Sequence, residues 1–432
     1  MELKVENNLI NKINYLCINW VIPFMIVIML CCGTIVNDFL FGKLELIQNL
    51  IIIFFILVAT YNILYKGKNG IIEYFKLNKI IIIYFIFRGI SFVSQGFSYS
   101  IIRSVIIEML FIFAIGVINV TGKDLKRYLN IFIYLILFFN ITSLVIYYVT
   151  PVVEEPIYSF IQNHTLYNTS PTASISNPNF LGTFTAFAII IVLSMIIKTR
   201  NKLYRYLGIF YILFNLYFLY LQECRSAEVG ILAIILSFVL LKRSIKFDKK
   251  RVISMWIILV LSFVGCIYCF TYVHIDNTKA LSDLEYQIND LGASRYAVWK
   301  TCIIEQQNHQ LTGAGSLSLE RSSRKAIFTD DKYDYQLVHK GAVWGPHNGY
   351  ICAISVTGWI GFALLMLIIL KKIKKSTALN SGPWCYLIIY ILVINMFENF
   401  FIFDSYRLIF ALFLFMMLNM KEDEESDKLL SC

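Results

Sequence analysis

The sequence predicts an all-α polytopic membrane protein, with about twelve transmembrane helices and one large helical loop on the outer face. Three observations carry this. Of 432 residues, 58% are hydrophobic and only 15% are charged, whereas a soluble protein carries about 25% charged residues. Apolar runs recur at roughly 17–25 residues, the length a helix needs to cross a bilayer. Lys and Arg concentrate in alternate loops, the pattern of topology signals.

Twelve runs qualify, at approximately 15–36, 46–65, 79–97, 99–120, 127–149, 178–197, 203–222, 226–241, 252–274, 347–370, 384–402 and 406–420. The segments on one face (1–14, 66–79, 121–127, 198–205, 242–251, 371–375 and 421–428) hold 25 Lys and Arg. The opposite short loops hold only Lys43, Arg225 and Arg407. The alternation never breaks, so both termini are expected in the cytoplasm of a cell whose plasma membrane holds the protein. The layout is then helices one to nine over 1–274, an extracytoplasmic loop over 275–346, helices ten to twelve over 347–420, and an acidic cytoplasmic tail over 421–432. The net charge of +10 is spread over short loops rather than gathered in a basic patch, which argues against nucleic acid as a partner.

The first run lacks a small-residue cleavage site and is expected to stay as a helix. The third and fourth carry Arg88 and Glu108 at matching depths, which reads as a buried ion pair holding that hairpin together. Arg103, nearer the outer end of the fourth run, either reaches the interface or faces an outer cavity. Between the seventh and eighth runs the sequence LQECRSAEVG makes a very short outer turn. Its Arg225 opposes the positive-inside bias, so it is a headgroup anchor or an anion ligand. The ten cysteines form no framework. Cys266 and Cys269 stand at CxxC spacing inside the ninth run and read as apolar filler.

The outer insertion, 275–346, carries eight Lys and Arg. It is expected to fold into two or three short helices lying against the outer membrane face. In GASRYAVWK, Arg295 and Trp299 share one helical face. The cluster ERSSRK brings Arg321 and Arg324, a solvated face or a contact for anionic sugars. Gly313 and Gly315 suit a turn or a close backbone approach to substrate. In the last outer turn, FENFFIFDSYRL crowds Glu398, Asp404 and Arg407, a local ion pair or else a contribution to the outer site.

The tenth run opens GPHNGYICAISVTGWIG. His347 is expected in the first turn of a helix running inward, behind Pro346, with Gly358 and Gly361 below it as a packing face for a neighbouring helix. The positive potential at a helix start favours an anionic group beside the imidazole.

His347-Asn348, nine residues, Gly358, two residues and Gly361 resembles the histidine motif of bacterial O-antigen ligases and related polysaccharide polymerases. Arg225 in the short outer turn, Arg295 with Trp299, Gly313-Ala314-Gly315, and Asn177-Pro178-Asn179 at the start of the sixth run fit the same family. The resemblance implies a membrane-embedded, inverting glycosyltransferase that uses no metal and no cofactor. It implies a glycan on undecaprenyl pyrophosphate as donor, His347 as the base, and Arg225 and Arg295 as ligands of the pyrophosphate. Asn348, Arg103, Arg321, Arg324, Gly313 and Gly315 are candidates for substrate contact; Arg88, Glu108, Gly358 and Gly361 are structural. Abundant Ile, Asn, Lys, Tyr and Phe suggest an AT-rich, Gram-positive-like source without a lipopolysaccharide core, which favours a repeat-unit polymerase for capsule over a ligase. A flippase or exporter of lipid-linked sugars is the alternative from another class. Flippase and chain-length regulator proteins are the candidate partners.

Overall fold

The computed structural model describes residues 11–32, 43–65, 67–93, 99–117, 120–149, 178–222, 224–242, 249–273, 295–315, 347–375, 382–398 and 408–419. Among these there is no strand. A π-helical turn, Cys17–Val21, leads into α1 (Ile22–Cys32). There follow α2 (Lys43–Tyr65), α3 (Gly67–Val93), α4 (Tyr99–Val117), α5 (Gly122–Val149), α6 (Pro178–Lys198), α7 (Lys202–Gln222), α8 (Arg225–Lys242) and α9 (Lys249–Val273). The last four are α10 (Arg295–Gln306), α11 (Gly349–Lys375), α12 (Gly382–Ile394) and α13 (Leu408–Asn419). All but α10 overlie one of the twelve apolar runs. Among the described residues six helical stretches are long and apolar enough to cross a membrane, and Cys385–Ile394 and Ile409–Asn419 are shorter apolar helices. The described residues are helical apart from short connections, and the chain is a multi-pass membrane protein.

The centre is α6, buried along nearly its whole length. Its Phe184 and Phe187 pack against Phe132 of α5 and Phe410 of α13, with ring centroids 5.1–5.9 Å apart. The neighbouring α7 is one-sided. Tyr204, Phe210, Leu213, Tyr217 and Tyr220 are exposed, while Gly208, Tyr211, Asn215 and Phe218 are buried. In a bilayer such an apolar outer face meets lipid.

Two polar nodes join helices inside this apolar body. Arg88 of α3 donates to Glu108 of α4, and both are buried. Asn140 of α5 donates to Thr185 of α6 at 3.0 Å and to Asn215 of α7 at 2.6 Å, and all three are fully buried. Interhelical hydrogen bonds of this kind contribute about 0.6–2 kcal/mol each. Asn140→Ala is therefore expected to destabilise the purified protein by about 1 kcal/mol without changing turnover per folded molecule. Chemical denaturation in detergent checks this; an unchanged midpoint would remove the node's structural role.

The segment that carries His347 departs from the expected straight helix. At Gly358 the backbone takes φ 67° and ψ −177°, which is not helical. The ring of Tyr350 lies 6.5 Å from that of Phe362. Twelve residues of straight helix would separate those positions by about 18 Å along the axis. The chain doubles back at Gly358, giving an upper half, residues 349–357, and a lower half, residues 359–375. α9 shows the direction of the upper half: Trp256 bonds Tyr350, and twelve residues later Tyr268 packs on Trp359. The upper half therefore runs the same way as α9, and only the lower half turns back.

α10 also departs from expectation. It does not present one face to a membrane surface but packs lengthwise on the upper half of α11. Tyr296, Val298, Trp299 and Cys302 form one buried cluster with Ile351, Cys352 and Val356. Trp299, expected beside Arg295 on a membrane-facing stripe, is inside this cluster and packs on Phe263 of α9.

Candidate active site

Three stretches of chain meet at one carboxylate. Glu398 follows the last turn of α12, and its side chain is 0% exposed. Arg295, the first residue of α10, donates from Nη2 to Glu398 Oε1 at 2.9 Å and from Nη1 to the Phe397 carbonyl at 2.9 Å. His347 Nδ1 stands 3.2 Å from Glu398 Oε2. A carboxylate withdrawn from water needs partners that replace its hydration. Here a guanidinium takes one oxygen and an imidazole the other.

The residues after His347 explain why these segments converge. Asn348 Oδ1 accepts the N–H groups of Tyr350 at 3.0 Å and Ile351 at 2.9 Å. That is a helix N-cap, satisfying donors that the first turn leaves without partners. The same side chain donates from Nδ2 to the Met396 carbonyl at 2.7 Å. The Gly349 N–H bonds the carbonyls of Asn395 and Glu398 at 2.8 and 3.1 Å. A Cβ on Gly349 would meet the Asn395 side chain at 2.2 Å, so a larger residue there would force that buried side chain to move. The Tyr350 hydroxyl donates to the Leu392 carbonyl at 2.7 Å. The start of α11 is thus hydrogen-bonded to the chain between Leu392 and Glu398.

This revises the expected placement of His347. The helix begins at Gly349 and Asn348 caps it, so His347 precedes the helix rather than lying in its first turn. Its φ is +42°, a left-handed conformation that costs a residue with a Cβ about 1–2 kcal/mol. The cap on one side and Glu398 on the other hold it there, and such strain gathers at functional sites. A carboxylate facing Nδ1 accepts a proton held there, and in the neutral ring that tautomer leaves the lone pair on Nε2. The imidazole remains partly accessible, at 13% exposure.

The start of α8 lies within electrostatic reach. Burial pushes the Cys224 thiol up to about 11, and the charges of Glu398 and Arg295 also act on it. Cys224 Sγ lies 3.6 Å from the Asn179 carbonyl and 3.4 Å from Ser226 Oγ. Gly182 makes room for it: a Cβ there would meet Cys224 at 2.6 Å. The first turns of α6 and α8 are thereby tied together, with Cys224 within electrostatic reach of Glu398. Arg225, the first residue of α8, is exposed.

Of the remaining candidates, Gly313, Gly315 and Gly358 have positive φ of 77°, 73° and 67°. Gly358 is the break itself, not part of a packing face for a neighbouring helix. Gly361 makes room for its own chain, because a Cβ there would meet Thr357 at 2.3 Å. Arg88 and Glu108 pair with each other between α3 and α4, as expected. Arg103 is on α4 with its side chain outside the described residues; Arg321, Arg324, Pro346, Asp404 and Arg407 are wholly outside them. Glu398 was expected first in a local ion pair and second as a contributor to the outer site; it is the residue at which Arg295 and His347 meet. Its signal in the sequence was a lone carboxylate in an apolar run, FENFF. Among the described residues no three His, Cys, Asp or Glu gather closely enough to hold a metal ion.

A search of curated proteins finds no match to the chain. Residues 210–366, which include Arg225, Arg295 and His347 but not Glu398, match the family model described as O-antigen ligase. This part of the chain is therefore similar to O-antigen ligases.

Proposed function

We propose that the protein is a polymerase of undecaprenyl-pyrophosphate-linked oligosaccharide repeat units, working at the outer face of the cytoplasmic membrane to build capsule or another surface polysaccharide. The observation that carries this is the His347–Glu398–Arg295 cluster, whose His347 and Arg295 lie in the stretch that matches the O-antigen ligase family model and whose Glu398 lies beyond it. The chain would pass the membrane twelve times with both ends in the cytoplasm, as its loop charges indicate. The acceptor is a sugar hydroxyl, a poor nucleophile at neutral pH. His347 Nε2 takes its proton as the oxygen attacks the anomeric carbon of the donor. The new glycosidic bond forms on the face opposite the breaking bond to pyrophosphate, so the anomeric configuration inverts.

The leaving undecaprenyl pyrophosphate gains negative charge as that bond breaks. In this reading Arg225, exposed at the start of α8, binds it, and the N-terminal end of that helix adds to its field. Arg295 has a double task. Two of its five N–H groups are spent on Glu398 and the Phe397 carbonyl, and the others remain for the donor. These cations supply the charge stabilisation that a metal gives other transferases, so no metal or cofactor enters the scheme. The polyprenyl tail stays in lipid. Flippase and chain-length regulator proteins are the partners such a reaction calls for.

Arg225→Ala is expected to lower transfer about 10–100-fold, mostly as a raised KM for donor, with Arg225→Lys intermediate. Steady-state kinetics on purified protein checks it; an unchanged donor KM would remove Arg225 from the pyrophosphate site. Given a lipid-linked repeat unit as both donor and acceptor, the wild type should make a ladder of chain lengths. Transfer only onto a different acceptor, once per chain, would make it a ligase instead.

A further inference from the structure

The chain from α10 into the break of α11 makes an unusual exchange of main-chain bonds. In an unbroken helix the Trp359 N–H would bond the Ser355 carbonyl. Here Ser355 O accepts from Ala314 N at 2.7 Å, and Trp359 N donates to Gln310 O at 2.9 Å. Ile360 N turns to Leu311 O at 3.4 Å. The loop 310–314 thus supplies the partners that the broken helix lost. The contact is backbone on backbone: a Cβ on Gly313 would meet Gly358 N at 2.4 Å, and a Cβ on Gly358 would meet Leu311 O at 2.2 Å. Both glycines also have positive φ.

α10 and the upper half of α11 are thereby joined at both ends. At one end Glu398 ties Arg295 to His347. At the other the loop after α10 is fastened into the break. Between them the Tyr296–Val356 cluster packs one helix on the other. Gln306 secures the loop from its own side, accepting from the Tyr268 hydroxyl at 2.6 Å and donating to Gln310 O at 3.3 Å.

We infer that the Gly313–Gly358 clasp is a positioning element, setting the orientation of His347 and Arg295 from the far end of the two helices they begin. This rests on the reading of His347 as the base. The upper half spans nine residues, about 14 Å. Over that length a tilt of about 4° displaces the imidazole by about 1 Å, and a displacement of that size can cost about 10²-fold in rate.

The test uses Gly313→Ala and Gly358→Ala in the full chain. Hydrogen exchange first reads whether the clasp has opened, through the amides of Ala314, Trp359 and Ile360. Modification of His347 by diethylpyrocarbonate, read by mass spectrometry against the protein's other histidines, then reports its environment without any substrate. The expected result is His347 labelling about ten-fold faster in both variants and transfer lower by about 10²-fold, with exchange in α5 and α6 unchanged. An opened clasp with unchanged His347 labelling overturns the inference. Should the glycine variants lose protection throughout, Gln306→Leu loosens the loop alone. It should raise His347 labelling about three-fold, and no rise overturns the inference. A wild type with no transferase activity refutes the proposed function, while the labelling rates still decide the clasp.

Discussion

His347→Ala is expected to lower the rate of glycan transfer by about 10³-fold, with the protein still expressed and folded. A positioned general base contributes about 10²–10⁴-fold. His347 has what that role needs. Glu398 fixes its tautomer through Nδ1 at 3.2 Å, its imidazole is partly accessible, and the Asn348 cap holds the backbone in a strained conformation that a random coil would leave. Little stability should be lost, because the bonds that fasten the start of α11 belong to Asn348, Gly349 and Tyr350. Turnover per folded molecule is the quantity to measure. Retained wild-type turnover would refute the assignment of His347 as base.

Glu398 is expected to give the second largest loss, of a different kind. Glu398→Ala removes the partner of Arg295 and of His347 together. Breaking one side of a buried ion pair costs about 3–5 kcal/mol, because the other charge is left in place. Transfer should fall about 10²–10³-fold and the unfolding midpoint should drop with it. Glu398→Gln separates the two effects. It keeps the shape and an oxygen for the Nδ1 proton but removes the charge that organises Arg295. The expected result is a midpoint near wild type with transfer still reduced about 10–100-fold. Equal turnover per folded molecule in Glu398→Gln and wild type would make Glu398 a structural residue only.

The helices were legible because their cause is local. A run of apolar residues long enough for a bilayer must be helical to satisfy its own backbone, and each predicted run overlies a helix. Arg295 and His347, which meet at Glu398, also stood out in the sequence, as a cation and an imidazole in places where composition disfavours them. What was not legible depends on tertiary contact. Gly358 at helical spacing from His347 reads as one face of a straight helix; that it breaks the helix is decided by Gln310 and Leu311, nearly fifty residues away in sequence. α10 reads as amphipathic, yet its apolar face is covered by α11 rather than by lipid. Glu398 lies fifty-one residues beyond His347, and no spacing rule links a carboxylate after one helix to a histidine before another.

The most direct test of the account follows both products of one reaction. Purified protein in lipid bilayers, in buffer containing a chelator, is given an undecaprenyl-pyrophosphate-linked repeat unit alone. The account predicts one undecaprenyl pyrophosphate released for each glycosidic bond formed, with products of two, three and more repeats and both signals lost together in His347→Ala. Movement of the lipid-linked sugar across the bilayer with no bond formed and no undecaprenyl pyrophosphate released would contradict it.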